Sequence, residues 1–345
     1  MTDLAAPDLS PRDRLKRDFI ARAGWADALC RPLAGDASDR RYDRLTRGGD
    51  TAVLMDAPPG RGDDPADFLA IGGHLLSLGL SAPRTLAQDL TQGFLLIEDL
   101  GDGVLARLVA QDPASELGLY AVAVDVLAHL QAHPAPAGLP DLSAEDWAQA
   151  AGFAPDWYAK AATGIQPDTR GFHEVLAGHL SAHADGPRVL ILRDYHAENL
   201  LWLPDRQGLA RMGLLDFQLG QMGQPGYDLV SLLQDARRDM TLATEDAMIR
   251  RFITATGAED AAFRRSYAVL GAQRALRILG IFARLCLVAG KAHYVDLIPR
   301  VWGQLQRNLS APGMEDLARI CGKILPEPTP AVLKVIKKKC PKPCP

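Results

Sequence analysis

The sequence predicts a mixed α/β (α+β) fold with two lobes, and three observations lead to this prediction. The chain has 345 residues, which is long for one compact core, so two lobes or domains are expected. Short apolar runs typical of strands occur up to about residue 216, together with helical patterns. Beyond residue 228 helical patterns dominate. We therefore expect a small lobe that contains a sheet and a larger, mainly helical lobe.

Composition limits the classes of function. Hydrophobic residues make up 48% of the chain, enough for a buried interior, and the formal net charge of -4 argues against nucleic acid as the main partner. Five cysteines form no disulfide pattern, and the first residues lack an apolar signal-peptide core, so the cytoplasm is the expected compartment. The apolar stretch 268–290 contains three arginines, which predicts a buried amphipathic helix and no membrane span.

The elements before the centre of the chain follow from local patterns. Ser10 is a good helix cap and Pro11 suits a first turn, so a helix should begin here. Turn-forming residues 35–39 precede a strand-like alternation, which predicts a hairpin. Apolar spacing or apolar content predicts the elements that follow: strand 51–55, helix 67–78, strand 93–97 and one long helix over 105–133.

The central stretch carries the pattern with the clearest chemistry. Apolar runs 189–192 and 200–203 flank a loop that contains Asp194, His196 and Asn199, and a third run ends at Asp216. Polar groups at strand ends lie at a sheet edge, where a ligand can reach them. Phosphoryl transfer to an alcohol needs one carboxylate near the hydroxyl proton, together with an amide and a second carboxylate for magnesium. The spacing therefore favours a kinase.

Three segments, RDYHAENLL, LLDFQ and GYDLVSLL, resemble the catalytic core of the aminoglycoside phosphotransferase and choline kinase superfamily, relatives of the protein kinases. The residues of these segments are most similar to those of bacterial cell-wall amino-sugar kinases, which phosphorylate the anomeric hydroxyl of N-acetylmuramate and N-acetylglucosamine. The resemblance implies a two-lobed protein-kinase-like fold with an antiparallel sheet in the small lobe. It also implies ATP, Mg²⁺ and a small-molecule sugar as the ligands.

The resemblance assigns roles to residues of the large lobe. Asp194 is the expected catalytic base, and His196 is expected to position the catalytic loop. Asn199 and Asp216 are the expected magnesium ligands. Asp228 is expected to support the loop backbone from within the protein. Leu192 stands where the superfamily usually has a histidine, which leaves the rigidity of this loop open.

For the nucleotide, the resemblance points to two segments. The hairpin with Gly35, Asp36, Ala37 and Ser38 is expected to lie over the phosphates, and Glu98 and Leu100 are expected beside the adenine, where the backbone supplies the contacts. The superfamily lysine is absent from strand 51–55, and the next helix has no glutamate. We therefore expect an arginine to replace the lysine, with Arg41, or its neighbour Arg40, as the candidate.

The expected domain boundaries are a small lobe over 1–98, a hinge at 99–102, a large lobe over 103–325 and a disordered basic tail over 326–345. Aromatic residues near 147–158 are either sugar contacts or core, and arginines of the late helix bind either a substrate carboxylate or acidic neighbours. Other functions stay open. They are a kinase for an aminoglycoside, choline or homoserine, and a non-catalytic nucleotide-binding relative. A protein kinase is disfavoured because the segment after Asp216 is short.

Overall fold

The computed structural model describes residues 10–33, 40–60, 62 and 64–341. The described strands are β1 (Leu29–Pro32), β2 (Arg41–Arg47), β3 (Asp50–Asp56), β4 (Thr85–Asp89), β5 (Phe94–Glu98), β6 (Val189–Ile191), β7 (Leu200–Trp202), β8 (Met212–Leu214) and β9 (Gln221–Gly223). The described α-helices are α1 (Pro11–Arg22), α2 (Pro65–Ser77), α3 (Leu105–Gln111), α4 (Glu116–Gln131), α5 (Ala144–Ala151), α6 (Lys160–Thr163), α7 (Phe172–His183), α8 (Tyr227–Leu233), α9 (Leu242–Thr256), α10 (Asp260–Ala289), α11 (Ile298–Leu309), α12 (Glu315–Ile324) and α13 (Pro330–Lys338).

The chain divides by its contacts into two units. The first, here called the sheet unit, comprises Met1–Ser115 and Glu198–Gly220. The second, the helical unit, comprises Glu116–Ala197 and Gln221–Pro345. This division places residues 198–220 with the N-terminal part of the chain, because the N–H of Leu214 donates to the carbonyl of Ser81 and the N–H of Trp202 donates to the carbonyl of Gly103. The lobe boundaries at 98 and 102 stay a prediction.

The sheet unit is built on a five-stranded antiparallel sheet in the order β1-β2-β3-β5-β4. Successive side chains of a strand point to opposite faces, and the two faces differ here. Leu54 and Leu96 belong to a buried cluster against α1, where Phe19 stacks on Phe94 with ring centroids 5.5 Å apart. Val53 and Ile97 point to the other face and line a pocket. The antiparallel sheet and the helical remainder confirm the predicted fold class.

The helical unit is organised around α10, a helix of 30 residues. It packs against α5, α7, α8, α11 and a π-helix over Ala154–Ala159. Many of its side chains are buried, including Leu276, Leu279 and Phe282. The prediction of a buried helix over 268–290 is thus confirmed. Among the described residues, no helix is both long enough and apolar enough to cross a bilayer.

Two expectations about helices are wrong. The helix predicted over 105–133 is two helices, α3 and α4, because Pro113 cannot continue α3 and Asp112 leaves the helical conformation. The tail predicted as disordered over 326–345 contains α13 within its described part. Thr329 caps this helix, and Ile336 is fully buried. The many lysines of this segment suggested disorder, although Ile336 among them is an apolar residue that packs in the core.

One glycine of the sheet unit is required by a close backbone approach. Gly93 precedes β5 with φ +72°, and a Cβ there would lie 1.9 Å from the carbonyl oxygen of Ala57. Gly79 has nearly the same φ, +74°, but a Cβ there would have no neighbour within 4 Å. Both positions favour glycine for the same backbone reason, while only Gly93 is restricted by its surroundings.

We expect Gly93→Ala to lower the free energy of unfolding by about 2 kcal/mol or more beyond the loss caused by Gly79→Ala, because only the first forces the backbone of two segments apart. Urea denaturation of both variants measures the difference. Equal losses would contradict the predicted clash.

Candidate active site

A pocket of about 510 Å³ lies within the sheet unit, on the face of the five-stranded sheet to which Val53 and Ile97 point. Its walls are mostly apolar, with Tyr42, Val53, Pro83, Ile97 and Leu201 among them. Charged and amide side chains occur at seven lining positions, namely Arg40, Arg44, Glu98, Asp99, Asn199, Asp216 and Gln218. An apolar pocket of this size with few polar groups is typical of a site for a small ligand such as a nucleotide.

Strand pairing explains why two distant residues share this pocket. Asn199 directly precedes β7, and Asp216 follows β8 after one residue. The strands are antiparallel with Leu200 opposite Leu214, and the N–H of Leu215 donates to the carbonyl of Asn199 at 2.9 Å. The end of β8 therefore meets the start of β7. Both predicted magnesium ligands line one pocket as a result.

The carboxylate of Asp216 is held in a defined orientation. Its oxygen Oδ1 accepts from Nη2 of Arg40 at 3.1 Å and from Nε2 of Gln218 at 3.0 Å. Its backbone φ is +56°, and Arg193 at +70° is the other described non-glycine residue with a positive φ. Such conformations cost about 1–3 kcal/mol each and occur preferentially at functional sites. The side chain of Asp216 is 39% exposed, so it remains accessible.

The structure places Arg40, and not Arg41, at the pocket. Arg40 is 7% exposed and lines the pocket, while Arg41 is exposed and does not line it. The reason is strand alternation, since Arg40, Tyr42 and Arg44 point to one face and Arg41 to the other. This period-two signal was present in the sequence and separates Arg40 from Arg41, but it does not say which of the two faces the pocket. The choice of Arg41 as a pocket residue is therefore wrong. Gly35, Asp36, Ala37 and Ser38 lie outside the described residues.

The strand β3 contains no lysine and the helix α2 contains no glutamate, and both make apolar contacts in this region. In β3 Val53 lines the pocket and Met55 is buried. In α2 Phe68 stacks on Phe217, the residue after Asp216, with ring centroids 4.9 Å apart. Gly72 lies on the same ring, which a Cβ there would approach to 3.3 Å. The segment after Asp216 is thus held to α2 without a buried ion pair.

Glu98 and Leu100 both line the pocket, but Glu98 uses its side chain elsewhere. Its carboxylate accepts from Arg84 at 3.1 Å and from Arg206 at 2.7 Å. The Glu98 carboxylate is therefore occupied by two arginines, and the backbone contact with adenine stays a prediction.

Sequence reasoning missed an ion-pair network beside this segment. Nε of Arg44 lies 2.7 Å from Oδ2 of Asp99, and its Nη2 lies 2.9 Å from Oδ1 of Asp102. Asp99 is nearly buried, with 5% of its side chain exposed. The network ties β2 to the segment after β5. Alternation in β2 was again the signal that could have shown Arg44 facing this way.

The part of the predicted catalytic loop that contains Asp194 and His196 lies in the helical unit, and its backbone is fixed there. Asp228 is fully buried and accepts from the N–H of Leu192 at 2.6 Å and from that of Arg193 at 2.9 Å. The carbonyl of Arg193 accepts from Nη1 of Arg274 at 3.2 Å. The left-handed residue before Asp194 is therefore bonded on both sides of its α-carbon. Leu192 is itself buried in the core.

Burial raises the pKa of Asp228 to about 7, against the opposing effect of its two N–H donors and of Arg274. Because Asp228 is fully buried and accepts from two backbone N–H groups, its carboxyl serves as a hydrogen-bond acceptor within the protein. Its contacts are those that the family resemblance implies for a support of the loop backbone.

His196 is buried in the same loop. Burial is the main cause that lowers the pKa of His196, and Arg237 lowers it further, while Asp235 opposes both. The imidazole is therefore neutral near pH 7. A buried neutral ring supports the loop by packing and does not add a charge next to Asp194.

The lowered pKa gives a pH-dependent contribution to stability. Because protonation favours the unfolded chain, the contribution is complete above the ordinary histidine pKa of 6.5 and is lost as the pH falls below that value. We expect the stability advantage of the wild type over His196→Gln to shrink on acidification from pH 7 to 5, by up to about 1.4 kcal/mol per pH unit. Urea denaturation of both proteins across this range measures it, and an advantage that grows on acidification would contradict the prediction.

Comparison with known proteins agrees with the fold and the site. Residues 29–269 match the model of the phosphotransferase enzyme family. This match covers well over half of the chain, so the protein belongs to that family and is a phosphotransferase, a kinase that transfers phosphate to a hydroxyl group.

Curated relatives of the chain have a common name. The N-acetylmuramate/N-acetylglucosamine kinase of Caulobacter vibrioides is 36% identical, with 93% of this chain and 98% of the relative covered. The enzyme of the same name from Pseudomonas putida is 31% identical, with 90% and 94% covered. The family expected from the sequence is thereby confirmed.

Solved structures share the fold at low sequence identity. A choline/ethanolamine kinase family protein from Mesorhizobium loti has a TM-score of 0.60 at 17% identity, with 95% of this chain and 99% of that chain covered. A microcompartment-associated aminopropanol kinase has a TM-score of 0.62 at 17% identity, with 88% and 99% covered.

Proposed function

We propose that this protein is an ATP- and magnesium-dependent kinase that phosphorylates the anomeric hydroxyl of N-acetylmuramate or N-acetylglucosamine. The observation that carries the chemistry is the shared position of Asn199, Asp216 and Arg40 on one apolar pocket. The choice of sugar is supported by relatives of that name that match the chain over nearly its full length. The cytoplasmic location stays a prediction.

The pocket suits a nucleotide with its magnesium. Mg²⁺ is usually bound by one or two carboxylates together with substrate phosphates, and Asp216 with Asn199 offers one carboxylate and one amide oxygen. The described residues contain no cluster of three or more metal-ligating side chains, which fits an ion brought by the nucleotide. When bound, magnesium would neutralise charge on the transferred phosphate.

Arg40 is the cation that we propose for the phosphates. It is nearly buried at the pocket, bonds to Asp216, and replaces the strand lysine in charge but not in position. A guanidinium binds phosphate oxygens through two parallel hydrogen bonds, so an arginine at this position suits the phosphates of a nucleotide. A bound phosphate would compete with Asp216 for this cation, which frees the carboxylate for the metal.

Asp194 is the residue that we propose for the proton of the sugar hydroxyl. It is half-buried and follows the fixed backbone of Arg193, so its direction is set by the contacts of Asp228 and Arg274. A carboxylate that accepts or orients the proton contributes about 10²–10⁴-fold to the rate.

We expect Asp194→Asn to lower kcat at least about 100-fold, because an amide cannot accept the hydroxyl proton, while the Kd for ATP stays close to the wild-type value. Coupled assays of ADP release with each sugar measure the rate, and calorimetry measures ATP binding. Wild-type turnover by the variant would show that another group is the base. Lack of activity of the wild type toward both sugars, with activity on aminoglycosides or choline, would overturn the proposed substrate.

The two neighbouring arginines give a matched test of nucleotide binding. We expect Arg40→Ala to raise the KM for ATP about tenfold or more, since a buried charged contact is lost, whereas Arg41→Ala should change it less than about twofold, because Arg41 is exposed away from the pocket. Steady-state kinetics at saturating sugar measure both values. The opposite order would return the role to Arg41.

A further inference from the structure

Arginines of the described chain commonly have carboxylate partners, but those beside the catalytic loop differ. Arg300 lies 2.6 Å from Asp239, and Arg251 lies 2.6 Å from Asp125. On α10, by contrast, neither Arg274 nor Arg277 forms an ion pair with any described residue. Arg277 is half-buried and makes no described hydrogen bond. Arg274 still lies near the carboxylates of Asp194 and Asp228, so Arg277 is the cation of this pair that can take an anion from a ligand.

The position of Arg277 follows from the residues around it on α10. Residues three and four apart share a helix face, so Leu270, Arg274, Arg277 and Arg284 form one stripe. At one end of the stripe Leu270 lies against Gly226, next to Tyr227, whose hydroxyl is 3.3 Å from Nη1 of Arg274. At the other end the guanidinium of Arg284 lies 5.7 Å from the ring centroid of Trp157. Arg277 therefore lies between the catalytic loop and this tryptophan.

Trp157 belongs to the π-helix Ala154–Ala159, which packs against α10. A Cβ on Gly280 would lie 2.0 Å from the carbonyl oxygen of Phe153, so the two elements touch at their backbones. Trp157 and Phe153 are only half-buried, while the nearby Tyr158 is fully buried. Single π-turns frequently mark functional sites. Exposed aromatic faces here can pack on a sugar ring.

Arg274 connects this stripe to the chemistry. Its Nη1 donates to the carbonyl of Arg193, the residue directly before Asp194. Arg277 follows Arg274 by about one turn of α10. It is therefore the next arginine along the helix from the residue that holds the loop in place, and an acceptor bound at Asp194 would lie on this side of the helix. A charged side chain beside a binding site can select among acceptors that differ in charge.

The two sugars in the proposed function differ by one group, since N-acetylmuramate carries a lactyl ether with a carboxylate that N-acetylglucosamine lacks. Arginine binds carboxylates with two parallel hydrogen bonds. We propose that Arg277 binds the carboxylate of N-acetylmuramate and makes the enzyme prefer this sugar to N-acetylglucosamine. This proposal rests on the proposed function and assigns the site that would distinguish its two substrates.

The test compares both sugars in one set of variants. We expect Arg277→Gln to lower the ratio of kcat/KM for N-acetylmuramate to kcat/KM for N-acetylglucosamine about tenfold or more, mainly through the KM for N-acetylmuramate, because a charge-assisted contact is lost. Arg277→Lys keeps the charge without the planar fork and should recover part of this ratio.

Arg265→Gln is the matched control, since Arg265 is an exposed arginine on the same helix outside the stripe. It should leave the ratio within about twofold of the wild type, and thermal unfolding should show that the variants are folded. A wild-type ratio for Arg277→Gln, or a parallel fall with both sugars, would overturn the assignment. If the wild type phosphorylates neither sugar, the proposed function itself fails, and this inference fails with it.

Discussion

The loop that carries Asp194 depends on one buried carboxylate. Asp228 satisfies the N–H groups of Leu192 and Arg193 and thereby holds Arg193 at a φ of +70°. Without such contacts a non-glycine residue would leave this conformation, which costs about 1–3 kcal/mol. The cost is met by hydrogen bonds that only a folded helical unit can supply, because Asp228 lies on α8 and Arg274, the donor to the carbonyl of Arg193, lies on α10.

A second residue with a left-handed backbone conformation, Asp216, lies in the sheet unit and is held by side-chain contacts of its own and of the next residue. Its carboxylate is bonded to Arg40 and Gln218, and the ring of the next residue, Phe217, is packed on Phe68 and Gly72. The pocket thus has a buried arginine although β3 contains no lysine, and an aromatic contact holds the segment after Asp216 to α2. A pocket that avoids a buried lysine and glutamate pair also avoids its desolvation cost.

Much of the fold and of the site could be predicted because the signals are local. The strands on both sides of Asp194, the strand that precedes Asp216, and the amphipathic pattern of α10 all follow from apolar spacing. Errors arose where a neighbour distant in sequence decided the outcome. The helix α13 forms among lysines because Ile336 is buried against the rest of the helical unit. Strand β9, in a glycine-rich segment without strand propensity, exists because it pairs with β6.

The sequence by itself determined which polar residue types follow the strands and in which order, since a carboxylate, an amide and a second carboxylate at strand ends are readable from spacing alone. Only the tertiary structure decided that Arg40 and not Arg41 faces the pocket, because a strand's facing is set by what its sheet packs against. Likewise only folding left Arg277 without a carboxylate partner among the described residues. Pairing of charges depends on distances between elements far apart in sequence, and no local pattern encodes those distances.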